Sequence, residues 1–279
     1  VKTFLIVTNM VKDPGFNLTE KIVEYITAKG CNVLRAVRNG DGEDDRLDGY
    51  SEIDAVIIIG GDGTILQAAR EVSDRGIPIL GVNAGNLGFL AEADPDNVRE
   101  AIDRIIEGNH GISRRMMLKA VVKTSDGVRA MSPALNDIII SRNGTLQVNN
   151  FSVYVNDEFL FSYNGDGIII ATPTGSTGYN LSAGGPIVQP EASLILLTPV
   201  CAHTLNTRSI VLSDSDKIDV VIGMGRNGNS VSVEASSDGN EKCIMTSGDK
   251  ITITRSENTA SLIKLSNVSF LQTLNKKLE

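Results

Sequence analysis

The stretch Asp54-Ala-Val-Ile-Ile-Ile59 is almost wholly apolar and runs without a break into Gly60-Gly61-Asp62-Gly63-Thr64. No other feature restricts the fold as much. A strand that is apolar at every position, rather than at alternate ones, must be covered on both faces, which happens chiefly in parallel sheets flanked by helices. Behind the glycines, Ile65, Ala68, Ala69 and Val72 recur at helical spacing over residues 64–75, and residues 77–82 are apolar again, with Pro78 near their start. The succession strand, glycine loop, helix, strand is the unit from which open α/β sheets are wound. The alternation holds for the first 110 residues. Residues 3–8 read as a strand, Leu18, Ile22 and Ile26 as a helix stopped by Gly30, and residues 32–37 as the next strand. Asp94-Pro95 predicts a helix with a capping aspartate and a first-turn proline, and Val98, Ile102, Ile105 and Ile106 form its stripe up to Gly108. The acidic, glycine-rich residues 39–49 read as a mobile surface loop that buries little.

From about residue 112 the texture becomes short β segments separated by turn signals: Ser125-Asp-Gly, Asn156-Asp-Glu, Ser237-Asp-Gly and Ser247-Gly-Asp. Phe151, Val153 and Val155 alternate with Ser152, Tyr154 and Asn156, as in a half-buried strand, and one short helix is predicted after Thr177. The expected fold class is α/β plus all-β. An open Rossmann-like α/β domain covers residues 1–110, a β-rich, sandwich-like domain covers 111–264, and residues 265–279 return to the first domain. A chain of 279 residues, 41% hydrophobic, is long enough for two cores.

Charge and composition limit the partners. The 34 acidic against 26 basic residues leave a net charge of −8, which argues against a nucleic-acid or anionic-membrane binder. A single site can still hold phosphate through backbone amides. Cys31, Cys201 and Cys243 are far apart and form no C-x-x-C, so neither a disulfide framework nor a zinc knuckle is expected, and a reducing cytoplasm fits best. With only His110 and His203, a divalent ion would rest on carboxylates and phosphates. Apolar runs such as 55–59 and 194–197 fall far short of the ~20 residues that span a bilayer, so no membrane anchor is expected.

The glycine loop carries the first chemical signal. Gly60, Gly61 and Gly63 let backbone approach a ligand closely, while the helix opening at Thr64 offers free N–H groups and the positive end of its dipole, a combination suited to phosphate. A carboxylate there is repelled by phosphate unless it binds a metal ion or accepts a proton from an attacking hydroxyl. The bland alternative is that Asp62 caps the helix. Other nucleotide motifs fail: there is no G-x-x-x-x-G-K-[ST], and Leu66 stands where a dinucleotide fingerprint needs its third glycine. Thr174 breaks G-x-S-x-G around Ser176, so serine-hydrolase chemistry is unsupported.

The second half contains Asp166-Gly-Ile-Ile-Ile-Ala-Thr-Pro-Thr-Gly-Ser-Thr-Gly-Tyr-Asn-Leu-Ser-Ala-Gly-Gly-Pro186, a strand feeding a hydroxyl- and glycine-rich loop. Upstream, Asn136-Asp137 sets an amide and a carboxylate at the start of an apolar strand, a pair suited to the two hydroxyls of a ribose or, alternatively, to capping the strand. Together with Gly60 to Thr64 these segments, in this order and spacing, resemble the NAD kinase family over essentially the whole chain. Gly81-Val-Asn-Ala-Gly-Asn-Leu-Gly-Phe-Leu90, His203-Thr-Leu, Asp238-Gly239 and residues 270–278 agree. The glycine-aspartate-glycine loop alone is shared with diacylglycerol and sphingosine kinases; Asn136-Asp137 and residues 172–179 make the resemblance specific.

The resemblance implies transfer of the γ-phosphoryl group of ATP to the 2′-hydroxyl of the adenosine ribose of NAD, with Asp62 as proton acceptor and Gly60, Gly61, Gly63 and Thr64 as the phosphate loop. It places Gly63, Phe89, Asn136, Asp137, Asn164, Asp166, Ser176, Thr177, Gly178, Tyr179 and Asn180 around NAD, with Gln147, Ser182, His203 and Asn240 at its margin. Mg2+ would come with ATP, close to Asp62, and the chain would form a homodimer or homotetramer. Competing readings are Tyr179 as core, His203 as a hydrogen-bonded core residue and Asp166 as part of an Asp-Gly turn. For the whole chain they are a related lipid kinase, which the acidic surface disfavours, and a non-catalytic NAD sensor, which has no use for Asp62. The chain departs from the family's usual pattern at Gly178, commonly alanine, and at Ala84, Ser209 and Asn240.

Overall fold

The computed structural model describes residues 2–39, 44–85, 88–144, 148–203, 208–225, 228–265 and 269–278. The chain divides into two compact units, Val1–Arg115 with Asn258–Glu279, and Met116–Glu257. No helix among the described residues is long and apolar enough to cross a membrane.

The first unit opens with β1 (Thr3–Asn9), α1 (Asn17–Ala28), β2 (Asn32–Arg38), β3 (Ala55–Gly60), α2 (Asp62–Val72), β4 (Ile79–Asn83) and α3 (Val98–Glu107). Its strands are parallel, in the order β2-β1-β3-β4. Every residue of β3 is buried. Ile57 and Ile59 share a cluster with Ile22 and Ile26 of α1 and Ile102 and Ile105 of α3. On the opposite face, α2 brings Ile65 so close to Gly81 of β4 that a methyl there would stand 2.5 Å from it. Helices thus cover both faces, as the apolar run of β3 requires.

Two local expectations change. Helix α3 starts at Val98, three residues after Pro95, because Asp94 accepts the amides of Asp96 and Asn97 in a turn that precedes the helix. The acidic stretch 39–49 buries more than its composition implies. Leu47 is wholly buried in a 3-10 turn, and its amide donates to Glu71, whose carboxylate also takes Arg38 Nη2 at 2.9 and 3.0 Å. A buried guanidinium needs a partner, and the end of the loop is drawn in with it. Residues 40–43 lie outside the described residues.

The second unit is built from β5 (Gly111–Thr124), β6 (Gly127–Ala130), β7 (Asp137–Arg142), β8 (Asn149–Val155), β9 (Glu158–Gly165), β10 (Gly167–Ala171), α4 (Tyr179–Ser182), β11 (Leu194–Val200), β12 (Ile210–Ser213), β13 (Ile218–Ile222), β14 (Ser232–Ser237), β15 (Glu241–Thr246) and β16 (Lys250–Lys264). The unit boundary falls inside β5 and β16. An antiparallel sheet in the order β12-β11-β10-β7-β14-β15 packs on a second set containing β16-β13-β8-β9 and the β5–β6 hairpin. Their inward residues alternate, for example Leu118 and Ala120, Ile138 and Ile140, Phe151 and Val153, and Ile218 and Val220, and they form one sandwich core.

β10 is buried on both faces. Ile168 and Ile170 enter the core, while Ile169 and Ala171 pack outward with Leu196 under Ala183 and Val188. The four turn signals close β5–β6, β8–β9, β14–β15 and β15–β16, with Asp157, Asp238 and Gly248 in the left-handed region. The end of β16 belongs to the first unit, where Leu262 runs parallel beside Ile79, and α5 (Phe270–Leu278) follows.

Candidate active site

In the first unit the sheet delivers Gly60 to Thr64 to the start of α2. The three glycines there differ in kind. A methyl on Gly60 would stand 2.8 Å from Thr64 Oγ1, so packing alone demands glycine at that position. A methyl on Gly61 or Gly63 would meet nothing within 4 Å among the described residues, and Gly61 is extended at φ −106°, so packing does not require glycine at these two positions. Thr64 is buried, and its hydroxyl accepts from Asn9 Nδ2 at 3.0 Å, tying the loop to the end of β1.

Asp62 is the first residue of α2 but does not cap it. Its carboxylate reaches instead to the segment after β4, where Oδ2 accepts the Phe89 amide at 2.8 Å and Oδ1 the Leu90 amide at 3.3 Å. A methyl on Gly88 would stand 1.9 Å from Oδ1, so only glycine admits this arrangement. The capping alternative is thereby corrected, since two amides from another segment outbid the local ones. Phe89 is half-buried, its ring facing Phe270 of α5 at 6.3 Å between centroids.

In the second unit Asn136 and Asp137 open β7. The capping there is done by Asp238, whose carboxylate accepts the amides of Leu135 at 2.8 Å, Asn136 at 2.8 Å and Asp137 at 3.1 Å. In the sequence Asp238 stands in the Ser237-Asp-Gly239 turn and in a segment that agrees with the family, and its φ of 47° fits that turn, but its capping role is not legible there. Asp137 is therefore not a strand cap. It is 4% exposed, and among the described residues no hydrogen bond reaches its carboxylate. Burial, and then the negative charge of Asp238, push its pKa up to about 7.

The hydroxyl-rich loop folds against this pair. Thr172 donates its amide to Asn136 O at 2.8 Å and its hydroxyl to Leu135 O at 2.6 Å. Gly175 lies so close that a methyl would stand 2.1 Å from Asn136 O. At Gly178 a methyl would stand 3.3 Å from Asn136 Nδ2 and 3.8 Å from Asp137 Oδ2. Asn136, Asp137, Gly178 and the neighbouring Thr177 thus form one constellation. Thr174, which the resemblance does not single out as a contact, contributes a buried hydroxyl with no hydrogen-bond partner among the described residues.

Ser176 and Asn180 differ from their neighbours. Ser176 Oγ is bonded to both polar groups of the Val188 backbone, and Asn180 to Ser176 O, Pro186 O and Thr198 Oγ1. Both are wholly buried and shape the loop from within. Tyr179 is 47% exposed, so the core alternative does not hold. Asp166 is half-buried, 3.8 Å from Arg142 Nη1, and the exposed Asn164 accepts from Asn150 Nδ2 at 3.1 Å. His203 is exposed rather than core, its amide donating to Asn164 O at 2.8 Å. Ser182 and Asn240 are exposed; Gln147 lies outside the described residues. Among the described residues no three His, Cys, Asp or Glu side chains cluster as a metal cage would need.

A carboxylate held by the Phe89 and Leu90 amides beside a glycine-rich helix start, in a protein that elsewhere arrays hydroxyls and an amide beside a buried carboxyl group, marks the class of nucleotide-dependent phosphotransferases. The comparisons make the class particular. The ATP-NAD kinase N-terminal domain matches residues 4–110 and the ATP-NAD kinase C-terminal domain residues 135–265. NAD kinase of Lachnospira eligens is 38% identical, each chain covered completely, and that of Agathobacter rectalis is 42% identical over all of this chain and 99% of its own. Among solved structures, yeast NADH kinase complexed with NADH superimposes with a TM-score of 0.84 at 26% identity, over 99% of this chain and 87% of that one. An NAD kinase from Archaeoglobus fulgidus in complex with ATP gives 0.78 at 25% identity, over 98% and 96%. The chain belongs to the ATP-NAD kinase family, enzymes that phosphorylate NAD with ATP.

Proposed function

We propose that Asp62 accepts the proton of the adenosine-ribose 2′-hydroxyl of NAD as that oxygen attacks the γ-phosphorus of ATP. The bond from phosphorus to the β–γ bridging oxygen breaks in line, and ADP and NADP leave. The observation that carries this reading is the Asp62 carboxylate, held by the Phe89 and Leu90 amides between two glycines that face open space. A base fixed in advance loses little freedom on the way to the transition state.

Asn136 and Asp137 would hold ribose hydroxyls, the amide donating and the buried carboxyl group accepting or, when protonated, donating. Thr177, Gly178 and Tyr179 would line the adenosine site. Phe89, Asn164 and Asp166 would lie further along NAD, while Ser176 and Asn180 keep the loop in shape. The ATP phosphates would lie on the amides of Gly61 to Thr64. Asp62, the one carboxylate of the loop, would be the residue placed to hold a magnesium ion that comes with ATP, and such an ion would supply charge neutralisation on the transferred group. The yeast and archaeal structures, with NADH and ATP respectively, support these two substrates. A homo-oligomer in the cytoplasm completes the proposal, the three free cysteines agreeing with a reducing compartment.

The test is NADP formation from NAD, ATP and magnesium, read with an NADP-specific dehydrogenase. Asp62→Asn should lower turnover by about 10²- to 10⁴-fold with the fold intact. An unimpaired variant would remove Asp62 from the mechanism.

A further inference from the structure

Helix α5 has only nine residues, short of the ~12 that an isolated helix needs in water, so something must hold it. Its start is fixed by a reciprocal cap: Ser269 N donates to Gln272 Oε1 at 2.8 Å, and Gln272 N to Ser269 Oγ at 3.2 Å. Phe270 and Lys277, seven residues apart, fall on one face two turns from each other. Both meet the same side chain. The Phe270 and Phe89 rings lie 6.3 Å apart, and Lys277 Nζ stands 4.2 Å from the centre of the Phe89 ring, within range of a cation–π contact. The backbone amide of Phe89 is the one at 2.8 Å from Asp62 Oδ2.

We propose that α5 braces the proton acceptor: Phe270 and Lys277 grip the Phe89 ring, and the Gly88–Leu90 backbone so held fixes the Asp62 carboxylate. Phe89 is then a positioning residue, and α5, remote in sequence, sets how well the base is aimed. The inference rests on the reading of Asp62 as proton acceptor. Of the side chains the brace reaches, the carboxylate acts on the transferred proton and the Phe89 ring lies along NAD, so loosening the brace lowers kcat more than it weakens NAD binding and leaves the ATP complex as it was.

Steady-state kinetics of Lys277→Ala and Phe270→Ala, singly and together, test this. Each single change should lower kcat by about two- to fivefold, the range of a partly exposed cation–π or ring contact, with KM for ATP unchanged and KM for NAD changing by less than kcat. Lys277→Arg, which keeps a cation over the ring, should restore kcat. Hydrogen exchange should quicken in a peptide covering residues 88–90, while the interior of α2 keeps its protection, which separates loss of the brace from loss of the fold. Unchanged kcat and exchange in the double variant would overturn the proposal, as would exchange that quickens equally through α2. Asp62→Asn, run alongside, separates the two ideas: an active Asp62→Asn sinks the base assignment, whereas an inactive one beside a fully active double variant sinks only the brace.

Discussion

Asp137 keeps a carboxyl group almost out of water with no donor on it among the described residues, and this has a thermodynamic sign. Its pKa rises from 3.8 to about 7, so between those values the folded chain holds a proton that the unfolded chain has released. The stability that Asp137 contributes is then fully present below about pH 4 and is lost as pH rises towards 7, because the native state binds this proton across that window. Asp137→Asn keeps the shape and removes the titration. Urea midpoints at pH 5 and pH 8 should show a fall for wild type that is smaller in the variant, and equal falls would contradict the assignment. The residue type was legible in the sequence, as part of an amide and carboxylate pair. Its titration was not, because it depends on the burial that folding imposes and on the charge of Asp238, about a hundred residues away, which occupies the nearby amides.

At the scale of elements, the strand, loop and helix around Asp62 are nearly self-evident from the apolar run and the glycines. The roles of those glycines are not. Gly60 is pressed by Thr64, whereas Gly61 faces open space in an extended conformation open to any residue. Gly60→Ala should therefore cost stability, about 1–3 kcal/mol for an overpacked site, seen as a lower melting temperature. Gly61→Ala should leave melting nearly unchanged and raise KM for ATP instead. A Gly61→Ala enzyme with wild-type KM would show that phosphate does not approach there. Helix α3 shows the limit of local signals. The Asp94 cap was readable, but whether the next turn was regular depended on Asp94 Oδ1 taking the amides of both Asp96 and Asn97.

For the whole molecule, the informative feature is that the first unit needs both ends of the chain. Ala260, Leu262 and Ile263 are buried in it, with Ile263 in the cluster of β3, α1 and α3. Met116–Glu257 is one continuous segment with its own core. Truncation after Glu257 should thus expose the edge of β4 and speed hydrogen exchange in β3 and β4 while β7, β10 and β14 stay protected. Equal loss in both units would mean that they are stabilised together.

What the sequence determined by itself was whatever depends on neighbours in the chain. Solvation forces an all-apolar run like 55–59 into a doubly covered strand, alternation forces Phe151 and Val153 to one face, and left-handed turn residues close hairpins. The order and spacing of its motifs was enough to place the chain in its family. The tertiary structure alone decided which partner each polar group takes: Asp62 with Phe89 and Leu90, Asp238 with the start of β7, Ser176 and Asn180 with their own loop. A hydrogen bond is satisfied by whichever donor or acceptor folding brings within about 3 Å, and for Asp62 and Asp238 the choice lay tens of residues away, in segments that no local pattern connects.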